Sequence, residues 1–379
     1  MTKQDKDTEN PLDGGIFGLY AASDIKNADE TVVVKKGTLI EKVTTGNDGT
    51  AKFTADLPLG FSYDVKEVQA PEGYLRNADD VYTFAFSYTN DKEAKLTFKH
   101  TFKNERVTAK ISLQKQDKET KKAVPQGDAT LEKAVYGLYA REDIVHPDGA
   151  TGVIYKAGEQ VATLTTDKNG QASVDGLYLG NYYVKEITPP TGYLADEEEH
   201  ELVCNYEGDL VAEVKRDCLS LEQVMKQPFE IIKAANNGKT DADLLKGAGF
   251  TAYLVSSLTV KKDGSYDFDS AKPVVIGENG ATEIFTDEKG YARSIAIPYG
   301  TYIVRETTTP HNYTPVNDFI VQITENHPTT PQVWRVLLDK EFEAKLKIIK
   351  QDDETKKAVL QKNTEFKIFN LDTESMWSR

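Results

Sequence analysis

Three stretches of the sequence decide the fold: Leu57–Leu75 (LPLGFSYDVKEVQAPEGYL), Leu177–Leu194 (LYLGNYYVKEITPPTGYL) and Ile297–Thr314 (IPYGTYIVRETTTPHNYT). Each contains a glycine turn, a strand of alternating aromatic residues that runs into a glutamate, and then a proline and a closing tyrosine. Alternation with a period of two is typical of β-strands. Because successive copies begin 120 residues apart, the repeating unit is a whole domain and not a solenoid repeat of roughly 20–50 residues.

Two further segments recur in the same order. A lysine-bearing strand followed by a polar turn occurs at Thr2–Leu12, Leu113–Val124, Glu230–Thr240 and Lys347–Val359. A short apolar strand occurs at Gly15–Ala21, Val135–Ala140, Gly249–Leu254 and Glu365–Asn370. We therefore predict three domains at residues 1–106, 107–224 and 225–341, called here the first, second and third repeats, followed by the truncated start of a fourth at 342–379.

A turn precedes each aromatic stretch, in the sequences TTGNDGTAKF, TTDKNGQASV and FTDEKGYARS. Their glycines, Gly49, Gly170 and Gly290, suit the positive φ of hairpin turns. Many short strands separated by turns predict an all-β fold of tandem sandwich domains. One exception is Ser220–Gln227 (SLEQVMKQ), for which we predict one or two turns of helix at a domain junction.

Composition narrows the class of protein. The 379 residues carry a formal charge of −15 and show no basic cluster with interleaved aromatic residues, which argues against a nucleic-acid partner. No stretch approaches the ~18–20 apolar residues of a membrane span. The opening residues, MTKQDKDTENPLDGG, lack the apolar core of a signal peptide. We expect either a cytosolic protein or a fragment whose ends have been removed.

The order of these motifs resembles a known family. The pattern K-x-D, then G-x-Y, then V-K-E-x-x-x-P-x-G-Y, then a final strand with K-N is similar to the collagen-adhesin B-type repeat. These are the prealbumin-like, SpaA-type domains of Gram-positive surface adhesins and pilins. The resemblance covers essentially the whole chain and implies tandem immunoglobulin-like β-sandwiches.

The resemblance also implies a covalent cross-link within each domain. In many members a lysine on the first strand bonds to an asparagine or aspartate on the last strand, and a glutamate on a middle strand promotes the reaction. Transferred by position, these roles fall on Lys3, Glu67 and Asn104 in the first repeat and on Lys233, Glu306 and Asp339 in the third. Burial lowers a lysine pKa by up to ~3–5 units and raises that of a carboxylic acid, so a neutral amine can attack.

The second repeat departs from this pattern. Its lysine and glutamate are Lys115 and Glu186, but its last-strand position holds Glu222. Since glutamate is one methylene longer, we expect its carbonyl to miss the amine and no bond to form, unless Gln223 or Asp217 substitutes. The three charged groups then form a buried cluster. Lys350 belongs to the fourth repeat, whose other site residues are absent from the chain.

Other residues with possible chemistry are read as structural. The five histidines, His100, His146, His200, His311 and His327, show no metal-ligand spacing, so we predict surface positions, no metal and no cofactor. Cys204 and Cys218 fit small buried hydrophobic residues better than a disulfide. Asp263–Ser270 (DGSYDFDS) lacks the pattern of a calcium loop and fits a solvated hairpin.

The function implied by the resemblance is structural. We expect a stalk segment of a cell-wall-anchored adhesin or pilus-associated protein outside the cell, with neighbouring domains of the stalk as partners. No enzyme activity is expected beyond a single self-reaction per domain. The alternative is a module that binds a host matrix protein or glycan, which the long insertions at 141–160 and 256–280 favour, because loops carry binding sites in such domains.

Overall fold

Short strands and turns make up nearly all of the protein. The structure, a computed structural model, describes residues 1–87, 96–237, 243–332, 335–342, 345–359, 365–370 and 375–377. The only helices among these residues are single 3₁₀ turns at Val255–Ser257 and Glu278–Gly280. None of the helices in the described ranges has the length and apolar character needed to cross a membrane. The all-β prediction is confirmed.

The strands follow the repeats. The first repeat holds β1 (Thr2–Asp5), β2 (Ile16–Ala21), β3 (Ile25–Lys26), β4 (Val32–Val34), β5 (Leu39–Thr44), β6 (Ser62–Gln69), β7 (Val81–Ala85) and β8 (Thr101–Asn104). The second holds β9 (Thr108–Asp117), β10 (Val135–Ala140), β11 (Ile144–Val145), β12 (Val153–Tyr155), β13 (Gln160–Thr165), β14 (Gln171–Leu177), β15 (Gly180–Thr188), β16 (His200–Cys204) and β17 (Glu213–Glu222).

The third repeat holds β18 (Lys226–Gln227), β19 (Glu230–Asn236), β20 (Gly249–Leu254), β21 (Thr259–Val260), β22 (Tyr266–Asp267), β23 (Glu283–Phe285), β24 (Tyr291–Arg293), β25 (Ile297–Pro298), β26 (Gly300–Thr308), β27 (Tyr313–Thr314), β28 (Phe319–Ile323) and β29 (Arg335–Glu341). After it, β30 (Ile368–Asn370) and β31 (Ser375–Trp377) form an antiparallel pair.

Each repeat places the Glu-bearing strand and the Lys-bearing strand in different sheets. The sheets with the glutamate strand have the orders β5-β2-β6-β7, β13-β10-β15-β16 and β23-β20-β26-β28. The sheets with the lysine strand have the orders β1-β8, β14-β9-β17 and β24-β19-β29-β27. In all three, the lysine-bearing strand and the last strand of the repeat run parallel and side by side. Two sheets face to face are the architecture of a β-sandwich.

The alternation of the aromatic strands fills the space between the sheets. On β6, Tyr63, Val65 and Glu67 point inward while their neighbours are partly exposed. Side chains that alternate along a strand lie on opposite faces, so the glutamate necessarily shares the core face with the aromatic residues. The tandem immunoglobulin-like sandwich is confirmed as the fold.

The glycine turns differ from the prediction. We expected hairpins at Gly49, Gly170 and Gly290, but the strands on either side of the second and third turns belong to different sheets. β13 lies beside β10 and β14 beside β9; β23 and β24 divide in the same way. The turn therefore carries the chain across the core, because each flanking strand finds its partner in its own sheet.

Two local predictions have clear outcomes. The helix expected at Ser220–Gln227 is wrong: β17 continues to Glu222 and β18 occupies Lys226–Gln227. Pairing with β9 and β25 supplies backbone hydrogen bonds that an isolated turn of helix would lack. The hairpin expected at Asp263–Ser270 is confirmed, since β21 pairs with β22 around it.

Candidate functional site

The first repeat brings its three predicted residues together in the core. Lys3 and Asn104 come from one sheet and Glu67 from the other, and all three are buried. The Lys3 ammonium contacts Asn104 Oδ1 and lies 3.0 Å from Glu67 Oε1. Asn104 Nδ2 donates hydrogen bonds of 2.8 and 3.0 Å to the two oxygens of Glu67. The amine thus meets the carbonyl side of the amide while the carboxyl group holds its nitrogen.

The strand register produces this approach. Asn104 pairs with Asp5, two residues beyond Lys3, in the parallel ladder of β1 and β8. Glu222 pairs with Asp117, two beyond Lys115, and Asp339 pairs with Ala235, two beyond Lys233. Residues two apart on a strand share a face. The same diagonal step therefore places lysine and last-strand residue together in all three repeats.

The turn glycine fixes the backbone of each lysine. Gly49 adopts a φ of +67°, and its carbonyl accepts the N–H of Lys3 at 2.7 Å. A Cβ on Gly49 would lie 2.5 Å from the Lys3 carbonyl oxygen, and the corresponding separations at Gly170 and Gly290 are 2.8 and 2.3 Å. Only glycine allows both the positive φ and this close approach. The turn that crosses between the sheets is therefore part of the site.

An aromatic ring covers each amine. The Lys3 ammonium lies 5.7 Å from the ring centroid of Phe17, that of Lys115 lies 5.5 Å from Tyr136, and that of Lys233 lies 5.6 Å from Phe250. The rings come from β2, β10 and β20, directly opposite the site glutamates. Sequence analysis missed these residues, although an aromatic residue recurs at this position of the short apolar strand.

A backbone N–H anchors each glutamate. The N–H groups of Asn77, Asp196 and Val316 donate to Glu67, Glu186 and Glu306 at 3.1, 2.8 and 3.0 Å. In each repeat the donor follows the glutamate by ten residues. No side-chain pattern marks a backbone donor, so sequence reasoning had no signal for it.

The third repeat has the same geometry with an acid in place of the amide. The Lys233 ammonium lies 2.6 Å from Glu306 Oε2 and contacts Asp339 Oδ1. Glu306 Oε1 and Asp339 Oδ2 are buried and have no hydrogen-bond partner among the described residues. Burial raises the pKa of Asp339 to about 6, helped by the Glu306 carboxylate and opposed by Lys233. A protonated Asp339 is the form that can lose water to an amine.

Burial also lowers the pKa of two of the lysine amines. Desolvation lowers the pKa of Lys3, although the Glu67 carboxylate acts in the opposite direction. The same cause lowers the pKa of Lys115 to about 8, against the attraction of Glu186. Both side chains are fully shielded from water. Since an amine attacks only in its neutral form, burial makes these lysines better nucleophiles than exposed ones.

The second repeat corrects one part of the sequence analysis. We expected the longer Glu222 side chain to miss the amine, but its Oε1 contacts the Lys115 ammonium. The Tyr136 hydroxyl donates to the same oxygen at 2.6 Å, and Ser220 Oγ lies 3.2 Å from it. These hydroxyls draw the carboxylate back toward the lysine, whose ammonium lies 3.1 Å from Glu186 Oε1. A buried charge cluster is present, as expected for Lys115, Glu186 and Glu222.

The alternative acceptors lie elsewhere. Gln223 donates its side-chain amide to Glu119, and Asp217 is exposed on β17. Lys350 is exposed and has no site glutamate beside it among the described residues.

Cys204 and Cys218 are buried and free, which confirms their expected state. The surface prediction is wrong for His146, which is 4% exposed because a loop of the second repeat packs it against the first.

Comparisons with known proteins agree with this architecture. A family model for the SpaA prealbumin-like fold domain matches residues 1–101, 109–217 and 228–335. The collagen adhesin of Staphylococcus aureus is 30% identical over 210 residues, which are 52% of this chain and 16% of that protein. The chain therefore spans about one sixth of that relative.

One solved structure gives the same fold. The Bacillus anthracis TIE protein superposes with a TM-score of 0.53 at 24% identity, over 89% of this chain and 49% of that one. The minor pilin GBS52 of Streptococcus agalactiae matches 64% of this chain and all of its own at 16% identity, with a TM-score of 0.28. Because the three family matches cover most of its length, the chain belongs to the SpaA family of prealbumin-like fold domains.

Proposed function

We propose that this chain is a stalk segment of an extracellular, cell-wall-anchored adhesin or pilus-associated protein, stabilised by internal isopeptide bonds in its first and third repeats. The observation that carries this proposal is the burial of Lys3 and Lys233 in contact with a last-strand acceptor and beside a glutamate. The membership of the chain in the SpaA family and its similarity to an adhesin support the surface role. Its partners are then the neighbouring domains of the same stalk.

In the first repeat the proposed reaction joins Lys3 to Asn104. The neutral Lys3 amine attacks the side-chain carbonyl carbon of Asn104, and a new C–N bond forms. Glu67 touches the leaving nitrogen, so it is placed to carry a proton from the amine to that nitrogen. The Cγ–Nδ2 bond breaks and one ammonia leaves. No oxidant or cofactor is needed.

In the third repeat the same attack joins Lys233 to Asp339 and expels water. Asp339 must be protonated, and the pKa of about 6 makes that form accessible. Glu306 lies on the amine, so it is placed to take the amine proton as the C–N bond forms and to pass it to the departing hydroxyl of Asp339, which leaves as water. The positions of the three groups supply the proximity that such a reaction requires. The reaction runs once in each domain and involves no turnover.

We propose that the second repeat forms no bond. Tyr136 replaces the phenylalanine of the other two sites, and its hydroxyl adds a hydrogen-bond donor to the acceptor carboxylate. Ser220 adds another polar contact. The cluster is then held by a salt bridge and hydrogen bonds.

The domain limits 1–106, 107–224 and 225–341, with an incomplete fourth repeat at 342–379, are part of the same proposal.

The intact mass of the purified chain tests the cross-links. We expect a deficit of one ammonia and one water relative to the sequence, and peptide mapping should join Lys3 to Asn104 and Lys233 to Asp339. Loss of ammonia alone would contradict the third-repeat assignment. Loss of an additional water would show a bond in the second repeat. An unmodified mass would leave the sandwich stalk and refute the bonds.

A ligand-binding module is the second candidate. The hairpin of β21 and β22 in the third repeat borders a shallow cavity of about 570 Å³ lined by Tyr266, Phe268 and Arg305. By contrast, part of the insertion at 141–160 packs against the first repeat. Binding of matrix proteins or glycans that disappears when residues 259–267 are replaced by a short turn would favour this candidate. Equal binding by both proteins would argue against it.

A further inference from the structure

We propose that the junction between the first and second repeats binds one divalent transition-metal ion through Asp5, His146 and Asp148. Each residue offers one donor atom, and these atoms lie within 4.8 Å of one another. Asp5 ends β1 of the first repeat, whereas His146 and Asp148 follow β11 of the second. The ion would therefore join two domains. No part of the isopeptide mechanism uses these three residues.

Burial makes this cluster unusual. Asp5, His146 and Asp148 are only 2, 4 and 9% exposed. Buried carboxylates are normally paired with a cation or coordinate a metal, because removing their charge from water is costly. Among the described residues, His146 is the only basic side chain within salt-bridge distance of either aspartate. The guanidinium of Arg106 lies on the ring of Tyr178, 3.9 Å from its centroid.

Neutral donors hold both carboxylates in place. The Tyr74 hydroxyl donates to Asp5 Oδ2 at 2.7 Å. Asp148 Oδ2 accepts hydrogen bonds from Thr8, Asn10 and Thr151 at 3.0, 2.9 and 2.6 Å. Backbone N–H groups occupy the Oδ1 atoms, from Asp7 and Thr8 at Asp5 and from Ala150 and Thr151 at Asp148. Hydrogen bonds of this kind orient metal-ligating carboxylates without neutralising them.

The imidazole lies between the two acids. Its Nε2 is 3.9 Å from Asp5 Oδ2, too far for a hydrogen bond, and its Nδ1 is 3.2 Å from Asp148 Oδ2. Two ligands of a tetrahedral ion at ~2.1 Å lie ~3.4 Å apart, so the first gap needs to close by only ~0.5 Å. The Asp148 N–H also approaches Nδ1, at 3.2 Å. The ion would take one nitrogen of the imidazole and one oxygen from each carboxylate.

The charge of the donors favours a divalent ion. Two carboxylates and a neutral imidazole carry a charge of −2, which a divalent cation cancels and a protonated imidazole cancels only by half. Imidazole nitrogen with carboxylate oxygen suits Zn²⁺ or Mn²⁺ better than Ca²⁺, which prefers six to eight oxygen ligands. The donor set therefore points to a transition metal.

The junction is shaped to bring the loop to this position. Gly73, with a φ of +86°, lies against Pro147, and a Cβ there would come within 2.7 Å of the proline. The second junction provides a contrast within the same chain. Asp117, the counterpart of Asp5, is contacted by Gln126 of its own repeat at 3.0 and 3.1 Å and by Tyr193 at 3.0 Å. Among the described residues no histidine forms an ion pair with Asp117, whereas His146 lies beside Asp5.

Isothermal titration calorimetry on the EDTA-treated full chain tests the proposal. We expect one site for Zn²⁺ or Mn²⁺ and no comparable site for Ca²⁺. His146→Gln should weaken binding at least tenfold, whereas His200→Gln should leave it unchanged. His200 is the matched control because it lies 2.9 Å from Asp196 within a single repeat. Anomalous scattering from a metal-soaked crystal should place the ion between Asp5 and His146.

Two outcomes would overturn the proposal. Equal affinity in wild type and His146→Gln would place the metal elsewhere. Absence of binding for every ion, together with a wild-type melting temperature that rises on acidification and a His146→Gln protein that lacks this rise, would show that a protonated imidazole is the compensating cation. Melting of both proteins in EDTA establishes that the variant is folded.

Discussion

Lys3 illustrates how one residue changes its chemistry with its surroundings. Its ammonium is enclosed by the Phe17 ring, the Glu67 carboxylate and the Asn104 amide, and no part of the side chain reaches water. A lysine in that position would be destabilising if charged and alone, because burial of an unpaired ammonium costs several kcal/mol. The Glu67 carboxylate offsets this cost before the bond forms, and it is placed to transfer the proton while the bond forms.

Replacing Glu67 tests its role. In Glu67→Ala, we expect the chain to retain the ammonia of Asn104, because nothing remains to move the proton to the leaving nitrogen. The bond closes a loop of 101 residues, so its loss should lower the free energy of unfolding of this repeat by about 4–5 kcal/mol in the chain-entropy description of a cross-link. Intact mass and chemical unfolding measure the two effects. Glu72→Ala, an exposed neighbour, is the control, and ammonia loss in Glu67→Ala would contradict the assignment.

The second repeat allows the converse substitution. We expect Tyr136→Phe combined with Glu222→Asn to recreate the first-repeat site, since both partners of Lys115 then match Phe17 and Asn104. The purified variant should lose one additional ammonia by intact mass. Tyr136→Phe alone, which keeps the glutamate, should show no additional loss. A double variant that folds yet retains its ammonia would mean that geometry beyond these side chains controls the reaction.

The pH dependence of stability reports the buried Lys115. Its pKa in the folded protein is about 8, below its ordinary value of 10.5, because burial disfavours the charged form. Between these values the unfolded chain binds more protons than the folded one, so stability should rise as pH increases from 8 toward 10.5 and fall as pH decreases toward 8. Urea unfolding of the second repeat at pH 8 and 9.5 measures this slope. Lys115→Met should reduce it; an unchanged slope would assign the effect to other groups.

Sequence analysis could identify the individual site residues whose side chains recur in every repeat. Lysine, glutamate and last-strand residue stand in a fixed order with similar spacing in each repeat, so Lys3, Glu67 and Asn104 could be aligned by position. The Asn77 N–H could not be predicted in this way, because any residue type can supply a backbone donor. His146 could not either, because its partner Asp5 is 141 residues away and belongs to another repeat.

Among the elements, the turn between β23 and β24 links the fold to the site. The predicted hairpin and the observed crossing between sheets share the same glycine, because both need a positive φ. What the sequence pattern lacked was the identity of the strand partners, which depends on contacts between distant segments. The parallel ladder of β19 and β29 is such a contact, and it brings Lys233 next to Asp339.

We expect Gly290→Ala to slow or abolish the third-repeat bond. A methyl group there would lie 2.3 Å from the Lys233 carbonyl oxygen, so the lysine strand must shift, and the φ of +63° adds roughly 1–2 kcal/mol of strain. Gly264→Ala provides the control: its φ is +85° but no atom lies within 4 Å of the added group. Intact mass reports whether the bond has formed, and the melting temperature reports the backbone strain. Strain alone would lower the melting temperature and leave the bond intact. Water loss at the wild-type rate in Gly290→Ala would show that the turn does not position Lys233.

For the whole molecule, the bonds and the strand order together predict its response to force. A pull along the chain enters each repeat at its first strand and leaves at its last, and these strands lie side by side. In the first and third repeats a bond at this point would carry the load, and the strands between would stay folded. In the second repeat, only hydrogen bonds and the buried charge cluster would resist the pulling force.

Single-molecule pulling should therefore show one major unfolding event per chain. The 118 residues of the second repeat would release roughly 400 Å of extended chain at ~3.4 Å per residue. Lys3→Ala should add a second event of similar length, because the first repeat then lacks its bond. The Tyr136→Phe and Glu222→Asn double variant should remove the original event if its bond forms. Three equal events in the wild type would show that neither bond carries force, whatever the intact mass indicates.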